Sequence, residues 1–537
     1  MVKISASKTK AVWFGSEYNT REILCPDLGL QWVKKFTLLG IEFDNNLENM
    51  NCNFYTKMDK LEKLLNNWSY RYLTPFGKAT VIKSLGLSKL SHIAIVLPNP
   101  TKEMIKRIEK MISKFIWGGG SEKVRREDTK LPINYGGLAL PDISKFWNAF
   151  KFSWFRRLLV SDSFWPQLVS NSISTIMEKN LTVTDILQLG GTKLAELSKK
   201  ISNSFWKQVF NTALPMTEGI LFAYPEKILS SPFFYNPFVL RQRVVKSGDF
   251  PELVSLGINL SYFFYHGTNI IMNWEDFKNH YGIEITYERF IDIRYTIKAT
   301  IAKLKFPHAK LNPVNFPEKP LLIDIALSTV KGCSQYYKIL NQKSNFNNKI
   351  FQREAKWHLE LDQNFSLQFW AKARKLYASI DFDNSLKWLQ FQIVRNSLQT
   401  NYIVHRFKPN VPPTCSYCMD LGSLEKISHL FWTCFRVMEF LEEAFAFISS
   451  TGIIPNSNPT KLQFLFGFFN EPFYSPKNYV ILVLKKYIWV TKFKSNNLSM
   501  VGFKNLLKMC ITDIKVVFVI KDKPELIVEW DTLATML

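Results

Sequence analysis

Apolar residues recur at three- and four-residue steps through much of the chain, and that spacing predicts helices. Phe54, Met58, Leu61, Leu65, Trp68 and Tyr72 form one stripe, with Lys57, Lys60, Lys63 and Arg71 lying off it. Thr74-Pro75-Phe76-Gly77 breaks that helix. A second is predicted from about Lys78 to Val96, stopped by Pro98-Asn99-Pro100. The third pattern is the cleanest: Met104, Ile105, Ile108, Met111, Ile112, Phe115 and Ile116 form a buried stripe, and Lys102, Lys106, Lys110 and Lys114 run along an exposed flank. Ahead of these helices the chain reads as strands, from Ala11 to Phe14, Leu30 to Lys34 and Phe36 to Phe43, with a polar turn at Asp44-Asn45-Asn46. A chain that opens on edge-like strands with no core before them is expected to be the end of a larger domain.

Residues 161–350 carry scattered helical periodicity. Ser230 to Pro237 reads as a loop, and Leu311 to Pro320 as a linker, because its three prolines forbid regular structure. Helical groups return with Trp357, Phe365, Leu367, Phe369 and Trp370, then Trp388, Phe391, Ile393 and Leu398. Pro409 to Pro413 ends that run. A helix is expected from about Phe435 to Ser449, and the closing segment, about Tyr479 to Ile520, offers Lys485, Lys486, Lys492 and Lys494 as a second basic face. The fold class is α+β, predominantly α-helical. Its expected divisions are a β-rich stretch 1–48, a helical and basic region 49–160, a helical region of open role 161–350, helices leading into a metal module 351–440, and a helical end 441–537.

Composition narrows the partner. A chain of 537 residues that is 47% hydrophobic and 15% aromatic can bury several cores. A formal net charge of +24 calls for a polyanion, with nucleic acid ahead of an acidic membrane surface. There is no signal-peptide pattern after Met1, and the longest apolar stretches, Leu462 to Phe469 and Tyr479 to Val490, are too short or broken by Lys485-Lys486 to span a bilayer. An intracellular protein is expected.

The most specific chemistry is Cys415-Ser-Tyr-Cys418, ten residues, His429, four residues, Cys434. Free cysteines are often simply core, but three of only seven crowd into this window beside a histidine at ligand spacing. Thiolate and imidazole suit Zn²⁺, and four protein ligands leave no open position, so a structural zinc is expected. Residues five apart lie about 140° apart around an ideal helix, so His429 and Cys434 require a break or a helix start between them. The other cysteines, Cys25, Cys52, Cys333 and Cys510, read as reduced core thiols.

The lysine row of the third helix continues into Lys123, Arg125, Arg126 and Lys130, then Lys151, Arg156 and Arg157, with Trp117, Trp147 and Trp154 interleaved. Cations beside aromatic rings are what a single-stranded or hybrid nucleic-acid groove needs, phosphates meeting charge and bases stacking on rings. Gly118-Gly-Gly120 and Gly136-Gly137 fit no phosphate-loop pattern and read as turns. Asp44, Asp142 and Asp324 are lone carboxylates expected at surface or capping positions, and His266, His280, His308 and His358 are isolated.

Lys8-Thr9-Lys10 leading to Gly15-Ser16, Phe36-Thr-Leu-Leu-Gly40, Trp68, Leu73-Thr74-Pro75-Phe76-Gly77-Lys78, Phe115-Ile116-Trp117-Gly118 and Gly136-Gly137-Leu138 occur in an order that resembles long interspersed element (non-LTR retrotransposon) reverse transcriptases. Leu389 to Arg395, Thr400-Asn401 and His405 to Lys408, followed by the Cys-His cluster, resemble the zinc-binding region after such polymerases; the His-x4-Cys half is similar to that of a retroviral zinc knuckle. The resemblance implies the close of a palm, a hairpin that grips the primer, a thumb, and contact with RNA, DNA or an RNA–DNA hybrid in a cytoplasmic and nuclear ribonucleoprotein. On that basis Lys8, Lys10, Lys57, Lys60, Lys63, Lys106, Lys110, Lys114, Arg125, Arg126, Arg156 and Arg157 are the expected nucleic-acid contacts, and Lys8 would sit near the incoming nucleotide's phosphates. Mg²⁺ would belong only to an intact polymerase. Such polymerases hold their metal ions on aspartates that usually include an adjacent pair, and no Asp-Asp dipeptide occurs here, so this chain alone is expected not to synthesise DNA and to depend on a polymerase and endonuclease part elsewhere. The alternative is a non-enzymatic, zinc-stabilised helical scaffold, or a decayed element fragment without activity.

Overall fold

A computed structural model describes residues 9–13, 30–46, 50–120, 122–177, 182–188, 191–236, 238–239, 243–256, 259–303, 321–328, 332–342, 350–380, 383–418, 422–453, 458–494, 497–535 and 537. Helix dominates, and the described strands are short. β1 (Lys10–Ala11) pairs in parallel with β2 (Gln31–Trp32), and β3 (Lys35–Leu38) pairs antiparallel with β4 (Ile41–Asp44). The β3–β4 turn places Leu39 and Gly40 at positive φ, 49° and 77°, as a two-residue hairpin turn with both central residues left-handed requires. Leu38 and Leu39 stand exposed at its tip. The linker at Leu311 to Pro320, Lys8, Cys25, His308 and the Phe14-Gly15-Ser16 stretch lie outside the described residues.

The first three helices follow the apolar stripes. α1 (Asn51–Ser69) buries Phe54, Met58, Leu61 and Leu65. Tyr72 lies beyond its end and is fully exposed. Pro75 starts the next helix rather than merely stopping the last one: Thr74 caps it by accepting from Gly77 N at 3.3 Å, and proline costs nothing in a first turn, where its missing N–H has no partner to lose. The run continues as α2 (Pro75–Val81), a π-helical turn Ile82–Gly86, and α3 (Leu87–Val96). Among the described residues, Pro75–Val96 is long and apolar enough to cross a membrane by length and composition, which corrects the expectation that no stretch is. Phe76, Ile82, Leu90, Ile93 and Ala94 are nevertheless buried within the protein. α4 (Lys102–Trp117) buries Met104, Ile108, Ile112, Phe115 and Ile116 and leaves Lys102, Lys106, Lys110 and Lys114 exposed, one turn apart.

The residues fall into two compact units, each drawn from three stretches of chain. One comprises Met1–Leu64, Gly86–Met111 and Asp142–Asn345, and is organised around the helix Ile143–Val160. That helix is capped by Asp142, whose carboxylate accepts from Lys145 N at 3.1 Å. It packs on α3 and on the helices Ser204–Asn211, Leu321–Ser328 and Ser334–Gln342. The second unit comprises Leu65–Leu85, Ile112–Pro141 and Phe346–Leu537. At its centre the helix Asn384–Val394 is buried along most of its length and packs on α2, Leu367–Ala378, Lys461–Phe466 and Pro476–Thr491. A helix that is covered all round must satisfy its polar groups internally, and Gln390 does so by donating to Leu465 O at 3.0 Å.

The Gly-rich segments are turns. Gly118 and Gly119 end α4 at φ 64° and 79°, and Gly136 sits at φ 89° after the short 3₁₀ helix Ile133–Tyr135. Of the four closing lysines only Lys494 is exposed, so together they do not form a second basic face. Lys485 and Lys492 are buried and Lys486 pairs with Asp383 at 3.4 Å, because the helix Pro476–Thr491 is a core helix with no solvated side.

Candidate metal centre and cationic surfaces

Cys415, Cys418, His429 and Cys434 converge, their four ligand atoms all lying within 4.8 Å of one another. This group could hold a metal ion. The chain achieves the convergence with three local devices. A single antiparallel bridge between Thr414 and Leu424, with Cys415 N donating to Ser423 O at 3.1 Å, closes the loop that carries the Cys-x2-Cys turn. His429–Thr433 forms a π-helical turn in which Cys434 N donates to His429 O at 2.9 Å, and Cys434 then serves as N-cap of the helix Phe435–Ser450. The wider turn is the break that the five-residue spacing demanded. It brings the imidazole and the fourth thiol to the same side.

Cys415 Sγ stands 3.7 Å from Cys434 Sγ, and Cys418 Sγ 3.4 Å from His429 Nε2. Thr433 Oγ1 lies 3.3 Å from His429 Nδ1, so a proton on Nδ1 would leave Nε2 free to face the sulfurs. The crowding of sulfurs perturbs them. The hydrogen bond to Cys434, and then burial, push the Cys415 thiol up to about 12, while the same contact lowers Cys434. One cation would relieve both.

The surrounding shell contains residues that spacing alone did not reveal. Glu425 is fully buried and accepts from Asn401 N at 2.7 Å, from Ser416 N and Ser416 Oγ at 3.0 Å each, and from the Lys492 ammonium. Asn401 in turn donates to Thr414 O at 3.0 Å, and Tyr417 OH donates to Ile488 O at 2.6 Å. The metal-ready turn is therefore tied to the helix Pro476–Thr491 and to the residue just beyond it. An acidic residue three positions after a glycine-bearing loop carries no spacing signature, which is why Glu425 was missed.

The expected nucleic-acid contacts divide by environment. Lys106, Lys110 and Lys114 share one exposed flank of α4, and Lys60 and Lys63 are exposed on α1, where Lys57 is half-buried. Arg107 of α4 reaches Asp59 of α1 at 3.9 Å. Lys10 is exposed at the edge of β1. Arg125 is exposed and donates to Gln352 Oε1 at 3.1 Å, whereas Arg126 is engaged by Glu122 at 2.7 Å. Arg156 is half-buried and donates to Leu327 O, and Arg157 lies 4.6 Å over the Trp154 ring. The interleaved tryptophans are mostly packing residues: Trp147 is fully buried, and Trp154 packs edge-on against Trp165, Phe205 and Trp206 while donating to Ile95 O at 2.9 Å. Lys151 is also interior, donating to Ala94 O, and burial lowers it to about 7. Asp324 is engaged by Lys227. Compared with known protein families and with curated proteins, the chain matches none.

Proposed function

We propose that this protein is a nucleic-acid-binding, non-catalytic portion of a non-LTR-type reverse transcriptase, gripping RNA or a primer–template through the basic flanks of its helices, with a zinc ion fixing the Cys-His module. The observation that carries the reading is the lysine row of α4: four exposed ammonium groups one turn apart, about 6 Å along the axis, in a chain of net charge +24. Charge so arranged supplies affinity for phosphates with little sequence preference. The motif order that resembles those polymerases supports the family reading, and the lack of an Asp-Asp pair in this sequence supports the non-catalytic one.

Zinc is the ion that the ligand set favours. A tetrahedron with Zn–S bonds of about 2.3 Å has S···S edges of about 3.8 Å, and mixed S···N edges of about 3.6 Å. The 3.7 Å and 3.4 Å separations match those edges. When bound, the ion would supply folding free energy and no chemistry, since four protein ligands close its shell.

A second reading, a helical scaffold that uses zinc and cations only for folding, draws support from the cations that the fold absorbs: Lys151, Lys485 and Lys492 are buried and Arg126 is paired. Fluorescence anisotropy with single-stranded RNA across a salt series separates the two. Binding whose log affinity falls linearly with log salt, with a slope reduced by about 2 in a Lys106→Ala/Lys110→Ala/Lys114→Ala variant, is the expected result. Absence of binding at low salt would leave the scaffold.

A further inference from the structure

The second unit contains a cavity of ≈ 480 Å³ lined by residues that precede the metal module in the chain and by Lys426 and Ile427 within it. Four cations border it, Arg353, Lys356, Arg406 and Lys426, against two carboxylates, Glu122 and Glu360. Both carboxylates are already engaged. Glu360 accepts from Asn396 Nδ2 and from Ser428 N, each at 2.9 Å, and Glu122 accepts from Ser113 Oγ at 2.6 Å and Arg126 Nε at 2.7 Å. Arg406 donates to Tyr402 OH at 2.7 Å and stacks 4.7 Å over that ring, which Lys426 approaches at 5.7 Å. The Arg353 guanidinium has no hydrogen bond or ion pair among the described residues. Burial and the positive charge of Arg406 both lower its affinity for its proton, as befits a cation without a counter-charge.

One further feature points to a ligand with more than charge. Phe407, 54% exposed, presents an aromatic ring at the same cavity. Cations and an open ring suit the phosphate and the base of a nucleotide.

We propose that this cavity is a nucleoside-phosphate site, with Arg353 and Arg406 holding the phosphate and the base stacking on Phe407. The nucleotide can be free or a single unit of a nucleic-acid strand; only the second source rests on the function proposed above.

The test is calorimetric titration of the full zinc-loaded chain with adenosine monophosphate at low salt, with inorganic phosphate in parallel. The site predicts saturable nucleotide binding. Arg406→Ala should weaken nucleotide and phosphate alike by about tenfold, whereas Phe407→Ala should weaken the nucleotide by a similar factor and leave phosphate unchanged. Arg353→Gln serves as the second anion-site variant, and unchanged zinc stoichiometry in each variant shows that the region is folded. Displacement of bound nucleotide by a ten-nucleotide single-stranded RNA assigns the strand as source; nucleotide binding without displacement assigns the free nucleotide. No saturable binding, or an affinity unchanged in both Arg406→Ala and Arg353→Gln, overturns the proposal. The function proposed above fails separately, if RNA binding is absent while the nucleotide still binds.

Discussion

Glu425 and Lys492, 67 positions apart in the chain, meet as an ion pair with both side chains buried. Glu425 also receives the backbone N–H of Ser416, which lies between the first two cysteines, so the pair fastens the metal-ready turn to the end of a core helix. Removing one partner leaves an uncompensated buried charge, which typically costs about 3–5 kcal/mol. Glu425→Gln and Lys492→Met should each lower the urea midpoint of the protein and weaken metal retention, and the double variant should lose less than the two single losses added together. Additive losses would show that the two groups act independently.

Metal binding should depend on all four converging residues. Cys415→Ser and Cys418→Ser are expected to abolish stoichiometric zinc, measured by release to a chromophoric chelator, and to increase hydrogen exchange in the π turn His429–Thr433 and the helix after it. Thr433→Val, which removes the hydroxyl beside His429 Nδ1, should weaken zinc by about 10- to 100-fold without abolishing it. One tightly held zinc in Cys415→Ser would remove that residue from the ligand set.

Gly137 is the glycine that sterics require most plainly. A Cβ there would stand 2.0 Å from Leu131 O and 2.7 Å from Asp128 O, both backbone atoms that cannot rotate away. Gly137→Ala should therefore destabilise the second unit by at least about 1–3 kcal/mol, the usual cost of forced overpacking. Gly118→Ala, with nothing within 4 Å of its Cβ and strained only by a positive φ of 64°, should cost about 1 kcal/mol. A ranking in the opposite order in chemical denaturation would refute this steric account.

Periodicity was the most legible signal. The stripes from Phe54 to Leu65 and from Met104 to Ile116 are buried faces, and the Cys-x2-Cys…His-x4-Cys spacing led to four residues that do converge. Even the need for a break between His429 and Cys434 could be read from helix geometry, although the π turn that supplies it could not. Charge was read less well. Lys485, Lys492, Lys151 and Arg374 look like surface residues in a sequence, yet each is buried, because their partners (Gln390, Glu425, Ala94 O and Glu354) come from distant stretches that no local pattern links to them. Tryptophans between cations suggested stacking platforms. Trp147 and Trp154 are instead spent on packing, where a large ring gains more than it does in water.

Lys485 gives the chain a stability that depends on alkaline pH. Its ammonium is enclosed by the Gln390 side chain and Leu465 O, and burial lowers its pKa from the ordinary 10.5 to about 7. Between those two values the unfolded chain binds the proton and the folded chain does not, so stability rises with pH across about 7 to 10.5, by up to about 1.4 kcal/mol per pH unit for this one group. Below about 7 both states are protonated and the contribution is flat. Lys151, lowered to about 7 in the other unit, acts in the same window and direction. Urea midpoints measured at several pH values should therefore rise from pH 7 toward 10 in the unaltered protein, and Lys485→Met should remove one proton's worth of that slope while leaving the part due to Lys151. An identical slope in the variant would mean that Lys485 carries the same charge in the folded and unfolded states.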